Sequence, residues 1–509
     1  LISDIEINPG IECGTSGYLG DKEPEENKNY IIKYFEGVFD GQGHTISGLY
    51  NNKYTQEAGL FYHPTGAVIK NLNIDRSYIK SFLYGGMISV ATDTTVINCH
   101  SNAYYDSRGE EIEIGGMAGR AYNSKFISCT NTGQITSYHY HRCEQRFGGI
   151  VGLAENSTFV DCKNTGKLDA NEYNMGLSFF GGIVGDANNC SISYCSNDAL
   201  LAPLGKVMYD TEGVGGIVGS LKGESSVIGC INNGIIYEDS GGKTAGGIIG
   251  SCPYDSYKES KIRDCLNTGT VYIGDVSLNT FIGNMYYANI SIDNCFTRGC
   301  FVHYLTADVY SKLKISNSYY EDREVRYTTS YGDYKTELNN TIKFTDEMRT
   351  SGEIAYILNK NSSSVKIGQD LAAHQSYPSI NGKKVYYGYE NCQSTEKTYS
   401  NDFRYEIEGI GHIYEEKGIC TLCGASGGSE ECPYPISTAE DLRSFADAVN
   451  NGANTLCAKL MNDIDLNPGT TFNITNGTYT GDEPTKWTPV GTKEYPYCGT
   501  FDGAGYKIS

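Results

Sequence analysis

Gly148-Gly149-Ile150-Val151-Gly152 begins a segment that continues through Phe159 to Cys162-Lys163-Asn164-Thr165-Gly166. The same glycine pair, followed by two apolar or small residues, occurs six times at spacings of 30 to 34 residues. The pairs begin at Gly85, Gly115, Gly148, Gly181, Gly215 and Gly246. A fixed period of this length indicates one structural unit per repeat, stacked on its neighbours.

A second register runs in step with the glycine pairs. It is marked by seven cysteines, each with an apolar residue three positions earlier: Cys99, Cys129, Cys162, Cys195, Cys230, Cys265 and Cys295. Two positions after five of these cysteines there is an asparagine: Asn131, Asn164, Asn197, Asn232 and Asn267. Glycine often follows two residues later, as in Gly133 and Gly166.

The residue types within each repeat favour strands over helices. Ankyrin and tetratricopeptide repeats have a similar period but are helical, and each glycine would destabilise a helix by roughly 1 kcal/mol. Valine and isoleucine recur between glycine-rich or polar turns, which is typical of short strands. The sequence therefore predicts an all-β protein, a right-handed parallel β-helix (β-solenoid) of about nine coils with short helical caps.

Matched positions are expected to stack from one coil to the next, roughly 4.8 Å apart. The seven cysteines would then pack as small apolar residues in a narrow corner, rather than act as metal ligands or redox groups. The five asparagines would pass amide hydrogen bonds along the stack. The glycine after each asparagine would supply a corner with positive φ.

The Gly-Gly-Ile-Val-Gly runs and Cys-x-Asn-x-Gly turns resemble the GLUG-type repeat of large bacterial cell-surface proteins, including some immunoglobulin-A peptidases. The resemblance extends from about Phe39 to Tyr320, and it implies a secreted, clostridial-like surface protein. The zinc-binding motif of those peptidases, His-Glu-x-x-His, is absent from the sequence. The resemblance therefore does not imply peptidase activity.

The two ends of the chain repeat each other, since residues 460–469 match residues 1–10 and residues 501–505 match residues 39–43. We predict a β-helix over residues 1–325, a segment over 326–392 that caps the last coil, and a linker over 393–432. Residues 433–509 would form a capping helix and the first coil of a second β-helix. Helices are predicted at 345–359 and, after a capping box at Ser437 and Glu440, up to about Asn450.

The linker contains the residues most suited to binding a metal. His412, Cys420, Cys423 and Cys432 are plausible zinc ligands, with Cys392 as a substitute fourth ligand. A lone Cys-x-x-Cys pair is equally compatible with a disulfide or with two free thiols, so all three remain open. No cofactor follows firmly from the sequence, and a structural zinc or calcium ion is the candidate.

Insertions between repeats collect at one edge of the expected solenoid, where binding residues often lie. Aromatic residues and histidines on successive coils there are candidates for stacking on sugar rings or on a protein partner: Tyr138, His139, Tyr140, His141, Tyr173, Phe179 and Tyr209. A merely solvated edge explains them equally well. Glu144, Glu172 and Asp210 share this edge, and β-helix polysaccharide lyases and hydrolases use clustered carboxylates.

The formal net charge of −21 disfavours nucleic acid and anionic membranes as partners. No apolar run is long enough to cross a bilayer. We expect a non-catalytic structural and adhesive module of an extracellular cell-surface protein or filament, arranged head to tail with further copies of itself. A glycan or a host surface protein is the expected ligand. The alternative is a carbohydrate-active β-helix enzyme, a polysaccharide lyase or hydrolase.

Overall fold

The computed structural model describes the chain in segments, which form two compact units, Leu1–Lys384 and Val385–Ser509. The described residues are 1–8, 12–14, 17–19, 32–107, 109, 111–138, 144–171, 178–204, 213–238, 244–253, 258–308, 310–331, 335–389, 397–401, 433–473, 475–476 and 478–509.

The first unit winds through three sheets of stacked strands, which pair in parallel except where Val276–Ser277 runs antiparallel to Thr270–Ile273. Sheet 1 contains the strand that follows each of the six glycine pairs and the equivalent strand of three later coils: Ile88–Thr92, Ala118–Tyr122, Val151–Glu155, Val184–Asn188, Val218–Lys222, Ile249–Cys252, Ile282–Tyr286, Val302–Asp308 and Val325–Tyr331. Sheet 2 takes the next strand of each coil: Val38–Asp40, Val68–Lys70, Thr95–Ile97, Lys125–Ile127, Thr158–Val160, Ser191–Ser193, Ser226–Ile228, Glu259–Arg263, Asn289–Asp293, Lys312–Ser316 and Lys335–Asn339.

Sheet 3 completes each coil, in most coils with two or three short strands. Its strands are Ile5–Glu6, Thr45–Ser47, Tyr50–Ala58, Asn73–Gly85, His100–Ser107, Glu111–Gly115, Thr130–Asn131, Ile135–Tyr138, Glu144–Gly148, Lys163–Asn164, Leu168–Asn171, Ser178–Gly181, Ser196–Asn197, Leu200–Leu204, Gly213–Gly215, Ile231–Asn232, Ile235–Glu238, Ala245–Gly246, Leu266–Asn267, Thr270–Ile273, Val276–Ser277, Phe296–Thr297, Tyr319–Tyr320 and Ile342–Lys343. The predicted fold class, a parallel β-solenoid, is confirmed.

The remaining elements are short. Three helices are described: α1 Asp346–Ser351, α2 Glu353–Asn361 and α3 Ala439–Asn450. Antiparallel pairs join Glu12–Gly14 to Gly17–Leu19, Ile367–Gly368 to Ser379–Ile380, Tyr386–Tyr389 to Lys397–Ser400, and Thr470–Asn473 to Thr478–Gly481. A parallel sheet in the second unit contains Tyr434–Ile436, Ala458–Leu460 and Phe501–Asp502.

Inside the solenoid, equivalent side chains lie on one another in axial rows. One row contains the apolar residue that precedes each cysteine: Val96, Phe126, Phe159, Ile192, Val227, Ile262 and Ile292, all at most 1% exposed. The rings of Phe126 and Phe159 stack with centroids 5.3 Å apart and planes 7° apart. Because equivalent side chains pack directly on one another, each coil needs an apolar residue at this position of the repeat.

The corner before each cysteine is made by a residue in the left-handed region, such as Ser128 (φ 51°) or Asp161 (φ 54°). The prediction that Gly133 and Gly166 supply the positive φ is wrong, because neither has one. A β-carbon at Gly133 would instead lie 2.1 Å from the carbonyl oxygen of Ala103 in the preceding coil. These glycines are needed for close approach between coils.

The segment after the last coil packs against several coils of the solenoid. Strands continue through Ile342–Lys343, and α1 and α2 follow. Ile354 and Leu358 of α2 pack in a cluster with residues from four successive coils: Ile231, Leu266, Phe296 and Tyr319. Leu338, at the last position of the inward apolar row, is 47% exposed. The helices therefore lie along the side of the solenoid and leave the end of that row uncovered.

In the second unit, a helix packs against the short parallel sheet. Helix α3 buries Leu442, Phe445 and Val449 against Ile436 and Leu460, among others. Its capping box is formed by Thr438 and Asp441, one residue later than the sequence predicted, with the Asp441 amide donating to Thr438 Oγ1 at 3.1 Å.

Candidate functional site

The five repeat asparagines form a continuous hydrogen-bonded row inside the solenoid. Each Nδ2 donates to the Oδ1 of the next asparagine at 2.9 to 3.1 Å, from Asn131 through Asn164, Asn197 and Asn232 to Asn267. All five are 0% exposed. Asn164 also accepts from the Gly166 amide and donates to the Gly166 carbonyl, both at 3.2 Å. Each buried amide thus has both donor and acceptor partners.

In five coils, the second glycine of the pair lies against the asparagine side chain of the same coil. A β-carbon at the second glycine of a pair would lie inside the carboxamide of its own coil, at 2.6 Å from Asn131 Cγ for Gly116 and 2.4 Å from Asn164 Cγ for Gly149. One coil earlier, serine (Ser101) replaces the asparagine. There Tyr105 takes the place of the carboxamide, and its hydroxyl donates to the Gly116 carbonyl at 3.2 Å. At the other end Asn267 reaches Thr297 Oγ1 at 3.4 Å.

All seven repeat cysteines are buried, and the thiols donate to backbone carbonyls, as Cys162 Sγ does to the Phe126 oxygen at 3.5 Å. Burial raises the pKa of the Cys129, Cys162 and Cys195 thiols well above the ordinary value. Twelve cysteines whose side chains the structure describes, the seven repeat cysteines among them, are free thiols. Thiols held protonated and away from solvent are poor nucleophiles and poor metal ligands.

A charged cluster lies on the outer side of the glycine corner, where strands of sheets 3 and 1 meet. We define it as Glu113, Arg120, Glu144, Arg146, Asp186 and Lys222. Arg146 is central: it donates to Glu113 Oε1 at 3.1 Å and to Asp186 Oδ2 at 3.2 Å, and it also contacts Glu144. Arg120 Nη2 donates to Glu113 Oε1 at 2.8 Å, and Lys222 Nζ donates to Asp186 Oδ2 at 2.8 Å.

The cluster contains three carboxylates and three cations, and most of it is shielded from solvent. The side chain of Glu113 is 0% exposed and that of Asp186 is 3% exposed. Burial raises the pKa of Glu113, although hydrogen bonds and charges from Arg120 and Arg146 oppose the shift. Tyr84 lies against the Arg120 guanidinium, with 4.2 Å from its ring centroid to Cζ. Glu144 is the carboxylate that reaches solvent, at 42% exposed.

Sequence reasoning singled out only Glu144 of this cluster. Glu113, Arg120, Arg146, Asp186 and Lys222 occupy columns where neighbouring coils carry unrelated residues, so no repeat pattern marks them. Their convergence depends on the sharp corner at the glycine pair. A β-carbon at Gly119 would lie 2.8 Å from the Glu113 carbonyl oxygen, which shows how closely the two strands approach.

Most of the predicted aromatic edge falls outside the described residues: His139, Tyr140, His141, Tyr173 and Tyr209, together with the Tyr138 side chain and the carboxylates Glu172 and Asp210. Phe179 is described, and it is only 4% exposed. Lys222 Nζ lies 5.1 Å from its ring centroid, and its place in a packed corner explains the burial. Phe179 therefore does not offer an open stacking face.

The proposed zinc ligands His412, Cys420, Cys423 and Cys432, and also Cys392, lie outside the described residues as well. Elsewhere, no group of three or more potential metal ligands is found among the residues that the structure describes. Within those same ranges, no helix has the length and apolar character needed to cross a membrane. The chain matches no family model, no curated protein and no solved structure.

Proposed function

We propose that this chain is a structural and adhesive repeat module of an extracellular surface protein or filament, arranged head to tail. The observation that supports the arrangement is that one chain contains the same first coil twice. In unit one, Ile5 pairs with Ile46 and the Thr45 amide donates to Asp4 Oδ1 at 2.8 Å. In unit two, Ile464 pairs with Ile508 and the Lys507 amide donates to Asp463 Oδ1 at 2.8 Å.

The interior of the solenoid supports a role as a stiff spacer. From Asn131 to Asn267, a buried hydrogen bond between asparagine carboxamides joins each described coil to the next, in addition to the strand ladders. Rows of this kind hold coils in register along the axis, as amide ladders do in cross-β structures. A stiff spacer that projects binding surfaces from a cell is the function that such a scaffold suits best.

Labelling of intact cells tests the location. Antibodies against the full chain are expected to label non-permeabilised cells of the producing organism, and labelling only after permeabilisation would contradict an extracellular role. The adhesive part is tested by applying the purified chain to an array of glycans and to host-cell surfaces. If the chain binds neither glycans nor host cells, the adhesive part of the proposal is contradicted and only the spacer role remains.

The charged cluster favours one alternative, a carbohydrate-active enzyme. It brings Glu113, Glu144 and Asp186 around Arg146, and β-helix lyases and hydrolases combine carboxylates with a basic residue. Product release from a panel of acidic and neutral polysaccharides tests this alternative. Activity that is lost in Glu144→Gln and kept in Glu155→Gln would establish it, since Glu155 lies outside the cluster.

A further inference from the structure

The last coil of the solenoid in unit one lies well inside the chain. Its strands are Val325–Tyr331, Lys335–Asn339 and Ile342–Lys343, and among the described residues each of them pairs with the preceding coil alone. One edge of each strand therefore has no described partner. An open edge of this kind invites a strand of a second molecule to pair with it, unless the edge is protected.

The helices that follow this coil do not protect its edge. Ile354 and Leu358 pack against the side of the solenoid, on residues of earlier coils. At the end itself, Thr336 and Asn339 are exposed and Leu338 is 47% exposed. Any protection must therefore come from the residues of the last coil.

Two apolar rows of the interior end in threonine at this coil. Thr328 occupies the position that Leu305 has one coil earlier, and Thr336 occupies the position of Leu313. Leu305 and Leu313 are each 1% exposed and belong to the solenoid core. Both threonines are exposed. The rows thus change from apolar to polar at the coil where they meet solvent.

The row of repeat cysteines also ends in hydroxyl groups. Ser318 and Thr341 occupy the position of Cys295 in the next two coils. Cys295 Sγ donates to the carbonyl of Ile262 in the preceding coil at 3.8 Å. Thr341 Oγ1 donates to the equivalent carbonyl, that of Ile315, at 3.0 Å. The contact with the backbone is kept, while the thiol is replaced by a more polar group.

Threonine suits a coil that has one face in solvent. Its β-branched side chain favours the strand conformation, and its hydroxyl adds a polar group to the end surface. A further coil stacked here would bury these hydroxyls in apolar rows, which is unfavourable where they find no partner. Terminal repeats of solenoid proteins need a polar outer face of this kind to stay soluble.

We propose that the coil of residues 325–343 is a built-in terminal cap. It gives this end of the solenoid a polar surface and prevents a second copy of the chain from stacking on it. Leu338 remains apolar at this end, but a single exposed apolar side chain does not make a docking surface. The inference goes beyond the proposed function and does not depend on cellular location or on any ligand.

The test compares the full chain with the double variant Thr328→Val/Thr336→Val, in which both rows end in apolar side chains. Sedimentation velocity over a wide range of concentrations should show severalfold tighter self-association in the double variant than in the wild-type chain. The matched control is Thr165→Val/Thr329→Val, because both threonines are exposed and neither ends one of these inward rows. The control should behave like the wild-type chain.

Leu338→Asp locates the association. This substitution should reverse the self-association of the double variant and leave the wild-type chain unchanged. Association in the double variant that is no tighter than in the control overturns the proposal, and so does wild-type self-association that Leu338→Asp abolishes. The comparison of the wild-type chain with Leu338→Asp needs no folded double variant, so it decides the matter even if that variant does not fold.

Discussion

Gly149 lies directly against the carboxamide of Asn164, fifteen positions later in the same coil. A β-carbon at Gly149 would lie 2.4 Å from Asn164 Cγ and 2.1 Å from the Gly182 carbonyl oxygen. The two sequence registers, glycine pair and asparagine, are therefore the two sides of one contact. The contact accounts for their recurrence together in five coils.

Gly149→Ala should destabilise the solenoid by about 1–3 kcal/mol, because neither the asparagine row nor the next backbone can move away without breaking its own bonds. The urea midpoint of the full chain measures the change. Gly503→Ala is the control, since a β-carbon there meets no atom within 4 Å. Equal midpoints for both variants would contradict the contact.

Asn164→Asp should cost about 1–3 kcal/mol for each hydrogen bond lost. The aspartate cannot donate to Asn197 Oδ1 or to the Gly166 carbonyl, which Asn164 reaches at 3.0 and 3.2 Å. A buried carboxylate facing two oxygens has a raised pKa, so the loss should be larger at pH 7 than at pH 4. Unfolding of the variant at both pH values checks this, and the exposed substitution Asn462→Asp should have little effect. A loss that grows on acidification would argue against a buried site.

The repeat cysteines should resist alkylation in the native chain. Cys129, Cys162 and Cys195 are buried with raised pKa, and burial raises the pKa of Cys190 and Cys252 to about 12. Cys498 is exposed and serves as the internal control. Mass spectrometry after a short treatment with iodoacetamide at pH 8 should find Cys498 modified and these five untouched. Rapid modification of Cys162 would mean that its row faces solvent.

Cys162→Ser tests the same row by stability. A hydroxyl in this apolar stack costs about 1–3 kcal/mol when it lacks a good partner. The urea midpoint should fall for Cys162→Ser and stay unchanged for Cys498→Ser. A stable Cys162→Ser chain would show that the position tolerates polarity.

Arg146→Met should destabilise the chain by roughly 3–5 kcal/mol, because Glu113 and Asp186 lose a shared cation while buried. Burial already raises the pKa of Glu113 above its ordinary 4.5 in the folded chain. The folded chain therefore binds the proton of the Glu113 carboxyl group more tightly than the unfolded chain does. Protonation of Glu113 contributes stability at low pH, and this contribution is lost as the pH rises through the folded-state pKa. Removing Arg146 raises that pKa further, so the deficit should be largest at neutral pH and shrink toward pH 4.5.

Thermal or urea unfolding between pH 4.5 and 8 checks the dependence. Lys163→Met is the control, because the Lys163–Asp198 pair is 48% and 32% exposed and contributes at most about 1 kcal/mol. A deficit in Arg146→Met that is equal at all pH values would contradict the raised pKa of Glu113.

The fold was predictable because the sequence pattern of one coil recurs many times along the chain. The glycine pair marks one corner of the coil and the cysteine marks another, and both recur in coil after coil, so the period and the strand pattern remain recognisable despite local variation. The positive φ was assigned to the wrong residue, since Gly133 looks like a turn glycine in the sequence. Only the neighbouring coil shows that Ala103 approaches it and that Ser128 makes the corner instead.

The charged cluster was not predictable in the same way. Arg146, Glu113 and Asp186 each occur once in their columns, and they meet only because two strands fold closely across a glycine corner. One helix over residues 345–359 was predicted from its apolar periodicity, and the structure has two, α1 and α2, separated at Gly352. Periodicity does not say which surface Ile354 and Leu358 pack against. That surface is made of Ile231, Leu266, Phe296 and Tyr319, which are distant in the sequence.

The asparagine row changes how the length of this protein can vary over evolution. Inner members of the row are interchangeable: each takes one bond from the coil before, gives one to the coil after, and sits on its own glycine. Only the two boundaries differ, where Ser101 with Tyr105 and Thr297 end the row. Duplication or deletion of a whole inner coil leaves no amide of the row unpaired. Descendants of this gene can therefore gain or lose whole coils, in steps of 30 to 35 codons, without interrupting the row.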